Sequence, residues 1–75
     1  MGLREFNFLS VEEKLKVISE KGMFMGAISY HRFRLQLFKV ENEFYEIWYN
    51  PRDKKTEDVK PAPIKRFYLY HQVEV

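Results

Sequence analysis

The stretch that decides the fold runs over residues 27–50 and reads AISYHRFRLQLFKVENEFYEIWYN. It is rich in β-branched and aromatic residues, which favour strands. Its one obvious reversal is the polar segment 41–43, which interrupts the apolar pattern. We therefore interpret the stretch as the central hairpin of an antiparallel sheet, and we expect the rest of the chain to cover one face of that hairpin.

No turn residue appears over 27–40, so this segment is either one long strand or two strands broken by a bulge near His31 and Arg32. Residues 44–50 form the return strand. The loop decides which side chains share a face, because a shift of one residue exchanges the two faces of a strand. A two-residue loop at 42–43 would mix apolar and polar sets. We prefer a three-residue loop at 41–43, since it gives one plainly apolar face.

A helix is indicated directly before this stretch. Ser10 and Glu13 fit a capping box, in which each side chain accepts a hydrogen bond from the other residue's backbone N–H. Val11 begins an apolar stripe that continues four and seven residues later. Gly22 suits a helix end, because glycine tolerates the left-handed conformation found there. The pattern predicts a helix over 11–21.

The remaining segments are shorter. The connector 23–26 reads MFMG, and we expect its large side chains to fill one end of the core. Residues 55–60 predict a polar edge strand whose charges discourage further pairing. The tail 64–75 fits either a helix or a strand. We favour a helix over about 63–71 and an extended end at 73–75, because Pro63 suits the first position of a helix.

The fold class that these segments predict is α+β. The helix at about 11–21 packs on a curved antiparallel sheet of three or four strands, and the C-terminal segment 64–75 docks on it. The 75 residues form a single domain over 1–75, whose core is small. The expected core residues are Val11, Leu15, Ile18, Phe33, Leu35, Leu37, Tyr45, Ile47 and Tyr49.

Composition limits the function classes. The chain has no cysteine, so neither a disulfide nor a thiolate metal site is expected. The net charge of +2 permits contact with nucleic acid but does not indicate it. No apolar run approaches the ~18 residues of a membrane span, and the first residues lack a signal-peptide core. We expect a cytoplasmic protein without membrane contact.

One set of residues predicts a binding surface. In the preferred register, cations and aromatic rings share the face opposite the apolar one. The candidate binding residues are Tyr30, Arg32, Arg34, Gln36, Phe38 and Trp48. Tryptophan, tyrosine and arginine are enriched at protein interfaces, so a protein partner or a homodimer is our first hypothesis. Single-stranded nucleic acid is the alternative, because rings stack on bases and arginine binds phosphate. The simplest interpretation remains the solvated side of a half-buried sheet.

Catalysis has little support in the sequence. His31, His71 and Glu46 are the residues that could form an acid–base or metal cluster, but their spacing matches no catalytic or metal-binding motif. The three glycines form no phosphate-binding loop. We therefore expect a protein that is not an enzyme and binds no cofactor or metal. A small enzyme or ligand-binding protein is the third hypothesis.

The order of a helix, an aromatic hairpin that ends in EFYEIWYNP and a tail of the type YLYHQVEV resembles small uncharacterised bacterial proteins. The resemblance covers residues 10–75 and implies a single helix set against a short antiparallel meander. Its motifs are apolar and turn residues, so it implies no reaction, cofactor or site residue. This chain has Glu41-Asn42-Glu43 where a glycine turn is more usual.

Overall fold

A four-stranded antiparallel meander, in the order β1-β2-β3-β4, follows two helices and precedes a third. This computed structural model describes residues 3–71, with side chains over 5–70. The predicted α+β class is confirmed. The elements are α1 (Leu3–Asn7), α2 (Val11–Lys21), β1 (Gly22–Tyr30), β2 (Phe33–Val40), β3 (Glu43–Asn50), β4 (Lys55–Pro61), a 3₁₀ turn (Ile64–Arg66) and α3 (Phe67–His71).

Helix α2 has the predicted bounds and the predicted cap. The backbone N–H of Glu13 donates to the Ser10 hydroxyl at 3.1 Å, and the N–H of Ser10 donates to the Glu13 carboxylate at 2.9 Å. Gly22 follows the helix but is extended, with φ −84° and ψ 151°, so it is not a left-handed cap. A Cβ at this position would lie 2.5 Å from the carbonyl oxygen of Ile18. The close approach of the backbone therefore accounts for the glycine.

Strand β1 begins directly after α2 and includes the segment 23–26 that we expected to be a connector. It pairs with β2 through a tight reversal at His31 and Arg32, where Tyr30 lies opposite Phe33. The alternatives of one long strand or a bulge at this point are therefore wrong. His31 adopts a positive φ of 55°, so the reversal forms without glycine, asparagine or proline. Those residues are the usual sequence signal for a turn.

The turn between β2 and β3 is one residue shorter than predicted. Val40 pairs with Glu43, so the loop consists of Glu41 and Asn42 alone, and Glu41 has a φ of 58°. Neither the preferred loop at 41–43 nor the alternative at 42–43 is present. The predicted register requires an apolar face on one side of the sheet only, whereas both sides carry buried side chains.

Both faces of the sheet carry buried side chains. The layer under α1 and α2 contains Phe6, Ile18, Val40, Tyr45, Ile47 and Val59. The layer under α3 contains Ile28, Leu35, Leu37 and Tyr70. Five of the predicted core residues are buried, but Leu35 and Leu37 pack under α3 and not under α2. Val11, Leu15, Phe33 and Tyr49 are only partly buried.

The predicted edge strand and the preferred C-terminal helix are confirmed. β4 lies at one edge of the sheet, where the Lys14 ammonium of α2 donates to the carbonyl oxygen of Val59 at 3.0 Å. The 3₁₀ turn follows Pro63, and α3 continues from it. Gly26 has a φ of 155°, and a Cβ there would lie 3.4 Å from the Tyr70 ring, so α3 docks closely on β1. The expected extended end at 73–75 lies outside the described residues.

We expect Leu37→Ala to lower the free energy of unfolding by about 2–5 kcal/mol, because it leaves a cavity under α3 where Leu37 is 4% exposed. Urea denaturation measures the change. Ile64→Ala is the matched control, since Ile64 is 83% exposed and should change stability by less than about 0.5 kcal/mol. A loss of that small size for Leu37→Ala would contradict the packing described here.

Candidate interaction surfaces

The six candidate binding residues do not form one surface. Arg34, Gln36 and Phe38 pair with Tyr49, Ile47 and Tyr45 and lie on the α2 face. Trp48 pairs with Leu35 on the α3 face, where the Tyr30 ring meets it at 6.0 Å between centroids. Arg32 lies in the β1–β2 turn. The correction follows from the shorter turn, because a shift of one residue moves Arg34 and Trp48 to opposite faces.

The α3 face instead contains a buried carboxylate that the sequence did not single out for this role. Glu46 is 0% exposed. Arg66 donates to both of its oxygens, from Nε at 2.9 Å and from Nη2 at 2.8 Å, and the Tyr70 hydroxyl donates at 2.9 Å. Burial of an ionised carboxylate is costly unless it is paired and hydrogen-bonded. Three hydrogen bonds from the C-terminal segment meet this requirement.

The electrostatics of this cluster agree with its geometry. The hydrogen bonds to Glu46 raise the pKa of the Arg66 guanidinium, so the cation is kept. Burial is the largest cause that raises the pKa of the Tyr70 phenol, and the Glu46 carboxylate beside it adds to the effect. Both side chains therefore stay in the state that can donate to Glu46. The cluster has no free acid or base and is suited to holding α3 on the sheet.

Aromatic rings surround the same arginine. The Arg66 guanidinium lies 4.8 Å from the Tyr30 ring centroid and 5.4 Å from that of Trp48. The Lys60 ammonium lies 4.4 Å from the same indole, and the Phe33 ring packs edge-on against it at 5.1 Å. Two rings of the predicted surface, those of Tyr30 and Trp48, are thus in contact with Arg66 and Lys60, which are not candidate residues.

A shallow cavity of about 230 Å³ beside Trp48 does not favour an anionic ligand. Its lining includes Lys60 but also Glu57 and Asp58. The indole Nε1 of Trp48 is the one buried side-chain polar atom without a hydrogen-bond partner within residues 5–70. Acidic and basic groups in the same lining largely cancel, so the cavity presents no field of one sign to a phosphate.

The two edges of the sheet differ in chemistry. β4 carries Lys55, Glu57, Asp58, Lys60 and Pro61, which are the charges and proline that protect an edge from further pairing. β1 reads GMFMGAISY and has no charged residue. Among the described residues, β1 has a strand partner only on its β2 side. The other side of β1 therefore offers backbone N–H and C=O groups on a strand that has no charged side chain.

The most exposed part of β1 is also its most apolar part. Met23, Phe24 and Met25 are 63%, 56% and 45% exposed, and we call these three residues the apolar edge segment. They do not fill the end of the core as we expected. The Phe24 ring packs edge-on against Phe38 at 5.4 Å, so the apolar surface continues from the edge onto the α2 face. The sequence contains this signal, but nothing in it shows that the segment belongs to an edge strand.

A second apolar depression lies where the 3₁₀ turn meets β3 and β4. It has a volume of about 480 Å³ and is lined by Asn42, Glu43, Phe44, Pro61, Ala62, Ile64 and Phe67. It is open to solvent, and the Phe44 and Phe67 rings in its lining meet edge-on at 5.0 Å. Asn42 and Glu43 are the polar side chains of the lining, and these two alone do not indicate a ligand class.

The cluster that His31, His71 and Glu46 could form gains no support from the structure. His31 is exposed in the β1–β2 turn, and Glu46 is engaged by Arg66 and Tyr70. The His71 side chain lies outside the described residues. Within the part of the chain that the structure describes, no group of three histidine or carboxylate side chains is placed to hold a metal ion.

Comparisons of the chain with protein-family models, curated proteins and solved structures found no match. The helix and antiparallel meander that the resemblance implies are present, whereas the family relationship stays a hypothesis. No helix within residues 3–71 is long and apolar enough to cross a membrane.

A double-mutant cycle tests the buried ion pair. We expect Arg66→Met to lower the free energy of unfolding by about 3–5 kcal/mol, because it leaves the fully buried Glu46 carboxylate without its cation. Glu46→Leu should lower it by less, because the guanidinium that remains is partly exposed and keeps its contacts with the Tyr30 and Trp48 rings. The double variant should lose far less than the sum, since both charges are then gone. Glu20→Gln, which alters an exposed carboxylate on α2, is the control. Simple additivity in urea denaturation would contradict a coupled pair.

The pH dependence of stability tests the environment of Tyr70. The pKa of the Tyr70 phenol is higher in the folded protein than its ordinary value near 10. At a pH above about 10 the folded protein therefore keeps a proton on Tyr70 that the unfolded chain has lost. The free energy of unfolding should therefore fall as the pH rises from about 9 to 11. Tyr70→Phe should reduce the slope, and some slope should remain because burial also raises the pKa of Tyr45. Tyr68→Phe, at an exposed position, is the control, and an equal slope in all three proteins would refute the assignment.

Proposed function

We propose that this protein is a non-enzymatic interaction module that binds an extended partner strand along the free side of β1. The observation that carries the proposal is the apolar edge segment, three consecutive large apolar side chains that are all about half exposed or more on an uncharged edge strand. Edges of this type are usually shortened, charged or covered in proteins that remain unpaired. Within residues 3–71, β4 has such protection and β1 does not.

Strand addition uses both features of this edge. The backbone groups of an edge strand supply hydrogen bonds to any extended chain, while its side chains select the partner. Met23 and Phe24 project to opposite faces of the sheet, because adjacent residues of a strand alternate. A partner strand with apolar residues can therefore contact the module on both faces. Methionine adapts its shape easily and is common at surfaces that accept different partners.

The proposal keeps the hypothesis of a protein partner and moves the surface. The predicted surface required Arg34 and Trp48 on one face, and the strand register separates them. The arginine that does lie beside Trp48 is Arg66, and it donates hydrogen bonds to both carboxylate oxygens of Glu46. Single-stranded nucleic acid also has less support, because the two cations near the Trp48 ring, Lys60 and Arg66, already contact that ring. The resemblance to small bacterial proteins adds no activity to the argument.

A labelled peptide with the β1 sequence GMFMGAISY, flanked by charged tags for solubility, tests whether the edge accepts a strand. We expect saturable binding by fluorescence anisotropy, with backbone amide shifts confined to β1 and its neighbours in NMR spectra. Met23→Lys should abolish it by placing a charge on the edge. Ile64→Lys is the control, since it alters an apolar side chain that is more exposed than Met23 and lies elsewhere on the surface. Equal binding by both variants would overturn the proposal.

A further inference from the structure

We infer that the strand that pairs with β1 is the β1 of a second copy of this chain, antiparallel to it across a two-fold axis. The inference rests on the proposed function and names its partner. Two four-stranded sheets joined in this way form one continuous sheet of eight strands. A two-fold interface brings the same surface of both copies together, so that surface must be complementary to itself.

The charge pattern of β1 meets this condition. No charged side chain occurs from Gly22 to Tyr30, so two antiparallel β1 strands place no like charges opposite each other in any register. Like charges directly opposite one another destabilise a strand pair. A copy of β4 in the same position would bring four charged residues and a proline to the junction. Charged side chains and proline protect an edge from pairing, so pairing of β1 with β1 is favoured over pairing of β1 with β4.

The protected edge also limits the size of the assembly. After two β1 strands have paired, the outer edges of the joined sheet are both β4. Their charges and Pro61 discourage addition of another copy. The association therefore closes at a dimer, whereas a head-to-tail contact between β1 and β4 could repeat into a fibre.

Side chains on both faces gain cover in such a dimer. Phe24 lies on the α2 face against Phe38, and Met23 lies opposite Lys39 on the α3 face. The apolar edge segment of the second copy also has side chains on both faces, so it can cover Phe24 on one face and Met23 on the other. The register shift between Phe24 and Gly26 marks a bulge that divides β1 into residues 22–24 and 26–30. The two-fold axis therefore lies beside one of these two straight segments.

Single cysteines locate the axis, because the chain has no cysteine of its own. Met23→Cys, Phe24→Cys, Ala27→Cys and Ser29→Cys place one thiol along β1, and Lys55→Cys places one on β4 as the control. A residue at the axis faces its own copy at a separation that a disulfide can span. We expect one β1 position to form the linked dimer about tenfold faster than Lys55→Cys under mild oxidation, since pairing raises the effective thiol concentration to about millimolar.

Sedimentation of the unchanged chain over a range of concentrations gives an independent readout. A dimer that Met23→Lys dissociates and Ile64→Lys leaves intact supports the inference. A chain that stays monomeric at every concentration and shows no cysteine preference, while it still binds the β1 peptide, overturns the second copy as partner and leaves the proposed function standing. A dimer that Met23→Lys does not affect, without peptide binding, overturns both.

Discussion

The compensation of one buried charge is the constraint on which the α3 side of the structure depends. Glu46 lies in the middle of the sheet with its carboxylate fully removed from solvent. Arg66 and Tyr70 supply its hydrogen bonds, and both come from the segment that follows β4. The C-terminal turn and α3 must therefore dock for the sheet to hold this residue. Leu35 and Leu37 are covered by the same docking, so the polar and apolar parts of the layer form together.

The parts of the fold that the sequence predicts are those with local signals. The bounds of α2 follow from Ser10 and Glu13, whose reciprocal hydrogen bonds involve residues only three apart. The polar edge strand β4 and the helical tail after Pro63 also follow from nearby residues. The turn at His31 was not predicted, and the turn at Glu41 was predicted one residue too long. Both residues adopt a positive φ, although neither is the glycine or asparagine that usually marks such a position.

The candidate surfaces were harder to predict because they depend on contacts between distant residues. Glu46 meets Arg66 across 20 positions and Tyr70 across 24, and no spacing rule joins them. An error of one residue in the turn length placed Arg34 and Trp48 on the same face in the prediction, whereas they lie on opposite faces of the sheet in the protein. The apolar character of β1 was visible in the sequence, but its edge position depends on the order of the strands.

The hydrogen bond from Lys14 to Val59 has a consequence for synthesis of the chain. It joins residues 45 positions apart, so α2 cannot complete its packing until β4 has left the ribosome. At about 5–20 residues per second, those positions take roughly 2 to 9 seconds to translate. During that interval, α2 and its apolar stripe lack their contacts with β4.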